Sequence, residues 1–180
     1  MKTIIAIVIV TVVGLVLFGV AYNYVITPPT TSSVASTSLA NALTLTISGE
    51  VSRPGTYVLS SGATMIDLIT AAGGTTSNAD SLAWKAEFQC ENKGSYYIAP
   101  IYDNANTCSL EPIQKANINA DDAATLQEVA GFTKTVANAI ITYRISNSFN
   151  SIEDMKNVSG IGQATYIATR DKVTLRSQTA

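Results

Sequence analysis

Two short glycine turns are the places in this chain where residue type and spacing could do chemistry. One reads Ala130-Gly131-Phe132-Thr133-Lys134 and the other Ser159-Gly160-Ile161-Gly162. Glycine in such a turn lets the backbone approach a ligand with no Cβ in the way. Each turn opens a predicted helix, whose first N–H groups lack partners and whose N-terminus carries partial positive charge. That combination is an anion site. Two such turns on one face would hold two phosphates, and contacts of this kind read no base. Aligning Val129 with Val158 sets Gly131 over Gly160, an offset of 29 residues, so the helix–turn–helix scheme is internally duplicated.

Other chemistries are excluded by composition. The chain has no histidine among its 180 residues, which removes Ser-His-Asp and Cys-His catalysis and every histidine-ligated metal site. Two cysteines cannot make a four-thiolate zinc site. No carboxylates cluster at metal-ligand spacing. No catalytic residue, metal or cofactor is therefore expected. Charge is sparse as well: residues 115–180 hold seven basic and six acidic side chains, a net of +1, while the whole chain carries -2. Each phosphate neutralised adds roughly 0.9 to the salt dependence of DNA binding, so few cations imply a shallow slope and modest affinity.

The elements that would position the turns can be read around them. Asp121 or Asp122 can cap a helix ending at Val129. A second helix runs from about Thr135 to Arg144, with Val136, Ile140 and Tyr143 on one face. After a break at Ser146-Asn147-Ser148, Ser151-Ile-Glu-Asp154 is a capping box whose helix ends at Val158, and a last helix reaches about Lys172.

The segment before this is of a different kind. Leu43 to Ser48 alternates apolar and polar residues, the period of a half-buried strand. Pro54-Gly55 is a turn pair leading to a hairpin strand at Tyr57-Val58-Leu59. Thr64 and Asp67 start a short helix with Met65, Leu68, Ile69 and Ala72 on one face, and Gly73-Gly74 stops it. A further strand is expected at Tyr96–Ile101. Arg53-Pro54-Gly55 and Gly73-Gly74 read as structural punctuation. Cys90 and Cys108, the only cysteines, suggest one disulfide outside the cytoplasm, worth on the order of 3 kcal/mol by loop-closure entropy; the alternative is two free thiols.

Ile4 to Ile26 is an apolar run long enough to cross a hydrocarbon core, which takes about 20 residues. Lys2 precedes it and the next charge is Glu50, which places the N-terminus in the cytoplasm and the remainder outside. A cleaved signal peptide is the competing reading, with a shorter apolar region and a small-residue cleavage site that Ala21-Tyr22-Asn23-Tyr24 does not supply. Thr27 to Asn41, uncharged and rich in Ser, Thr and Pro, reads as an extended linker.

The order strand, hairpin, helix, strand, with VSRPGTY and then AAGGTTSNAD, resembles the soluble-ligand-binding β-grasp (SLBB) family over about residues 43–103. That family is associated with extracytoplasmic ligand or glycan contact and with self-association. The string KANINADDAATLQEVAGF…AIITYR…FNSIEDMKNVSGIG resembles tandem helix-hairpin-helix domains and is close to the ComEA family, membrane-anchored competence receptors for DNA. The fold this implies is α+β: a transmembrane helix over 1–26, a linker over 27–42, an SLBB β-grasp-like domain over 43–112 and an all-α tandem helix-hairpin-helix domain over 113–180.

The resemblance implies a non-enzymatic receptor of the bacterial cell membrane, single-pass with its C-terminal domains extracytoplasmic. Its implied partners are double-stranded DNA, the membrane, a DNA-uptake channel and pilus machinery, with self-association through the SLBB domain. Carried over by position, Phe132 and Ile161 are buried and fix the turns. Gly131, Thr133, Lys134, Thr135 and Arg144 of the first hairpin face DNA, as do Gly160, Gly162, Gln163, Arg170 and Lys172 of the second. Thr133 stands where the family has its second glycine, which is expected to stiffen or distort that turn. Gln163 stands where a lysine is common, which removes a phosphate charge. A different class of function, an envelope assembly module with little DNA binding, would show no salt-sensitive duplex binding.

Overall fold

A central strand organises the first half of the chain. β1 (Leu43–Gly49) alternates, sending Leu45 and Ile47 into the core. It pairs antiparallel with β2 (Gly55–Leu59), Leu43 opposite Leu59 and Ile47 opposite Gly55. On its other side β3 (Ser95–Ile98) runs parallel, giving the order β2-β1-β3. The computed structural model describes residues 42–103 and 111–177. The apolar run 4–26, the linker Thr27 to Asn41 and Cys108 lie outside the described residues. Among the described residues no helix is long and apolar enough to cross a membrane.

The helix α1 (Met65–Ala71) packs Met65, Leu68 and Ile69 with Leu45, Ile47 and Ile98. Its capping box forms as expected: the Thr64 amide and hydroxyl both donate to Asp67 Oδ2, at 2.9 and 2.7 Å. Those bonds hold the exposed Asp67 carboxyl below its ordinary pKa. At the other end Gly73 takes φ +82°, its amide donates to Thr70 and that of Gly74 to Ile69, the paired bonds of a Schellman cap. Arg53 lies against Gly73 and donates to the Ala71 carbonyl at 3.4 Å, a cation at the helix C-terminus.

β3 is shorter than the expected Tyr96–Ile101. Pro100 has no N–H to give a ladder, and the Ala99 carbonyl turns to accept from the Asp80 amide at 2.9 Å. Cys90 is a buried free thiol, so the expected disulfide with Cys108 is not supported. The thiol packs in the β-grasp core beside Tyr96; burial pushes its pKa up to about 11.

The second half is built from two hairpins. α2 (Ala123–Glu128) is capped by Asp122, which accepts from Thr125 at 2.8 Å, while Asp121 accepts from Asn117. α3 (Lys134–Ser146) is the long helix. The expected helix after Ser151 is a 3-10 helix (Ile152–Asn157). Its buried residues explain the pitch: Phe149, Ile152, Met155, Val158 and Ile161 recur every three residues and all face the core. The capping box is present, with the Ser151 amide donating to Asp154 Oδ2 at 3.0 Å. α4 (Gln163–Thr169) ends sooner than expected and passes into a 3-10 turn at Arg170–Lys172.

This half is not all-α. β4 (Ala116–Asn117) and β5 (Val173–Thr174) form a parallel pair that closes it. The described residues make one compact unit, and Ala83 and Ala99 from the β-grasp side belong to the helical core. The seam carries a buried ion pair, Lys115 Nζ to Asp80 Oδ2 at 2.6 Å, with Lys115 also donating to the Pro100 carbonyl. The Leu175 amide donates to Leu82, and Arg176 to Ser81 at 2.6 Å.

Candidate nucleic-acid interface

The two turns share one geometry. Gly131 has φ +79° and Gly160 φ +92°, the left-handed region that side chains with a Cβ rarely occupy. Phe132 and Ile161, the next residues, are buried, as expected, and pin each turn to the core. Then the chain straightens. Thr133 (φ -67°, ψ 156°) and Gly162 (φ -85°, ψ 178°) are the N-caps of α3 and α4. Both conformations are extended and open to any residue. Thr133 therefore does not distort the first turn; its hydroxyl accepts from the Val136 amide at 3.3 Å and caps α3.

Gly131, Thr133, Lys134, Thr135, Gly160, Gly162 and Gln163 are all exposed. The first intrahelical bond of α3 runs from Ala137 to Thr133, and that of α4 from Tyr166 to Gly162. The amides of Lys134 and Thr135, and of Gln163 and Ala164, precede those bonds and point out of the helix ends. The turns are also neighbours. A Cβ on Gly160 would lie 3.2 Å from Val136 Cγ2, in the first turn of α3. The second glycine turn thus abuts the start of the first hairpin's second helix.

The expected cations divide. Lys134 and Lys172 are exposed. Arg144 lies ten residues along α3, about 15 Å from Lys134 at the helical rise. Its Nη1 donates to the carbonyls of Asp121 (2.7 Å) and Ile118 (3.2 Å), tying α3 to the loop before α2. Arg170 stacks on the Tyr97 ring of β3, its guanidinium carbon 3.7 Å from the centroid, and so belongs to the seam with the β-grasp.

Sequence reasoning missed the polar seam that Arg170 joins. Glu153 Oε1 accepts from the Tyr97 amide and the Tyr166 hydroxyl, each at 2.8 Å. The Tyr97 hydroxyl donates to Asp171 at 2.7 Å, and Lys156 lies over the Tyr166 ring at 4.1 Å. Burial raises the pKa of Glu153 above its ordinary 4.5, against the opposing pull of the Tyr166 hydrogen bond and Lys156. Burial likewise raises Tyr97 and Tyr166. Tyr97 and Glu153 are 56 residues apart, and no local pattern announces the pair.

A β-grasp is here joined to two helix–glycine turn–helix units whose helix N-termini are exposed side by side. The family comparisons divide the chain at the same place. Residues 44–86 match the SLBB domain and residues 111–174 the Helix-hairpin-helix motif. The chain is 28% identical over 144 residues to ComE operon protein 1 of Bacillus subtilis (strain 168), covering 74% of this chain and 70% of that protein. In both domains and in this relative the chain is similar to ComEA-like competence proteins. The two domains and the relative together support a DNA-binding role in competence.

Proposed function

We propose that this protein is a membrane-anchored extracytoplasmic receptor that binds double-stranded DNA through backbone phosphates, without reading sequence, for DNA uptake in natural transformation. The observation that carries this reading is the repeated left-handed glycine at Gly131 and Gly160, each delivering an exposed helix N-terminus, with the second turn set against the first turn of α3. Amides and the Lys134 ammonium supply the contacts to phosphate oxygens, which position a duplex and carry no base information. Residues 1–26 serve as the anchor, and a DNA-uptake channel and pilus machinery are the partners that receive or deliver the DNA. The SLBB domain supports self-association. No reacting group is needed for this work.

The test is fluorescence anisotropy of the full-length protein in detergent with random-sequence duplexes over a salt series. Gly131→Val and Gly160→Val place a β-branched side chain at positive φ and should each weaken binding, as should Lys134→Glu, which leaves the turn intact. Sequence-blind, salt-sensitive binding lost in these variants supports the receptor. A folded protein that binds no duplex at high micromolar concentration would hand the case to an envelope assembly module.

A further inference from the structure

We propose that Glu153 is a positioning residue for the second hairpin: by bridging α4, the 3-10 helix and β3 through one carboxylate oxygen, it sets the second glycine turn with the β-grasp as its support. The bridge has three sides. Glu153 itself lies on the 3-10 helix that leads into Gly160. Tyr166, whose hydroxyl reaches Glu153, lies on α4, the helix that leaves the turn. The Tyr97 amide, the third member, belongs to β3 of the other module. The two helices flanking Gly160-Ile161-Gly162 are thus fastened to each other and to the sheet at a single buried acceptor. A buried donor left without its acceptor is costly. The first hairpin has no counterpart. Aligned by the offset of 29, the position of Glu153 is held by Ala124 and that of Tyr166 by Ala137, neither of which can bond in this way. Among the described residues, this carboxylate bridge from the SLBB module is therefore made to the second hairpin.

As a role in DNA binding this rests on the receptor reading, but the geometry can be tested without DNA. Amide exchange in the full-length protein would be followed at Ile161 and Tyr166, whose amides donate to Val158 and Gly162, and at Gly131 and Ala137 of the first hairpin. Glu153→Leu should speed exchange at the second pair by about tenfold or more, the scale of a buried donor left without its acceptor, and leave the first pair unchanged. Glu153→Gln keeps the accepting oxygen and should restore protection. Tyr166→Phe, which removes one donor only, should give an intermediate result if Glu153→Leu does not fold. Equal change in both hairpins, or change in neither, overturns the proposal. In the DNA arm, Glu153→Leu should weaken duplex binding in a Gly131→Val background but add nothing to Gly160→Val. Unaltered duplex affinity in folded Glu153→Leu would also overturn it. Exchange effects as expected in a protein that binds no duplex would instead sink the receptor reading and leave the positioning role standing.

Discussion

Thr133 and Gly162 occupy the same place in their respective hairpins and adopt the same extended conformation, yet one carries a capping hydroxyl and the other nothing. Glycine at this second position is not required by backbone angle, and a Cβ on Gly162 would meet no atom within 4 Å. Losing the cap at Thr133 should cost about 1 kcal/mol, the usual effect of replacing an N-cap hydroxyl by alanine. Thr133→Ala is accordingly expected to lower the urea midpoint, and Gly162→Ser to hold or raise it. A drop on Gly162→Ser would show that the second turn does need its glycine there.

The two cations on α3 should behave differently toward salt. Lys134 sits exposed beside the first turn, whereas Arg144 is bonded to two main-chain carbonyls at the far end. Lys134→Ala should reduce the slope of log affinity against log salt by roughly 0.9, one phosphate's share. Arg144→Ala should lower thermal stability and leave that slope alone. The reverse pattern in anisotropy titrations would place Arg144, not Lys134, on the phosphate.

How far the chain could be read from its sequence depends on how local each feature is. The glycine turns, the Thr64–Asp67 and Ser151–Asp154 boxes and the Gly73-Gly74 stop all rest on residues within a few positions of each other, and all form. The 3-10 helix was also written locally, in the every-third spacing of Phe149, Ile152, Met155 and Val158, but a capping box before an apolar run reads first as an α-helix. Arg144, Arg170 and Glu153 could not be placed by pattern. Their partners lie far away in sequence or are bare carbonyls, which no residue type marks. The β4–β5 pair escaped for a similar reason: two residues per strand leave no alternation to see.

Glu153 also fixes a pH dependence. Its folded pKa is raised by burial, so the folded chain holds this proton more tightly than the unfolded one. The sign follows: its contribution to stability is fully present below the unfolded value, ordinarily 4.5, and is lost as pH rises through the folded pKa. Glu153→Gln, which cannot ionise, should therefore melt higher than the parent at neutral pH. The difference should vanish near pH 4 and below, where both side chains are neutral. Melting curves that diverge at acid pH and converge at neutral pH would contradict the direction of this shift.

Cys90 should be a slow thiol. With its pKa near 11 it is almost wholly protonated at pH 8, and it is buried besides. Iodoacetamide should label the Cys90 peptide in urea much faster than in buffer, as peptide mapping would show. Prompt labelling of the native protein, or a Cys90–Cys108 peptide under non-reducing conditions, would refute this.

The pairing of β4 with β5 also says something about how the molecule is made. Ala116 must wait for Val173, and the seam with the β-grasp is completed by Leu175 and Arg176, which reach back to Leu82 and Ser81. Synthesis runs from the N-terminus, so the β-grasp can fold while the hairpins are still being translated. The β4–β5 pair and the links to Leu82 and Ser81 form only once residues 173–176 are made, after the residues of the Lys115–Asp80 and Tyr97–Glu153 links are already in place. A chain lacking residues 173–176 would keep both glycine turns in its sequence and lose this clasp between its modules.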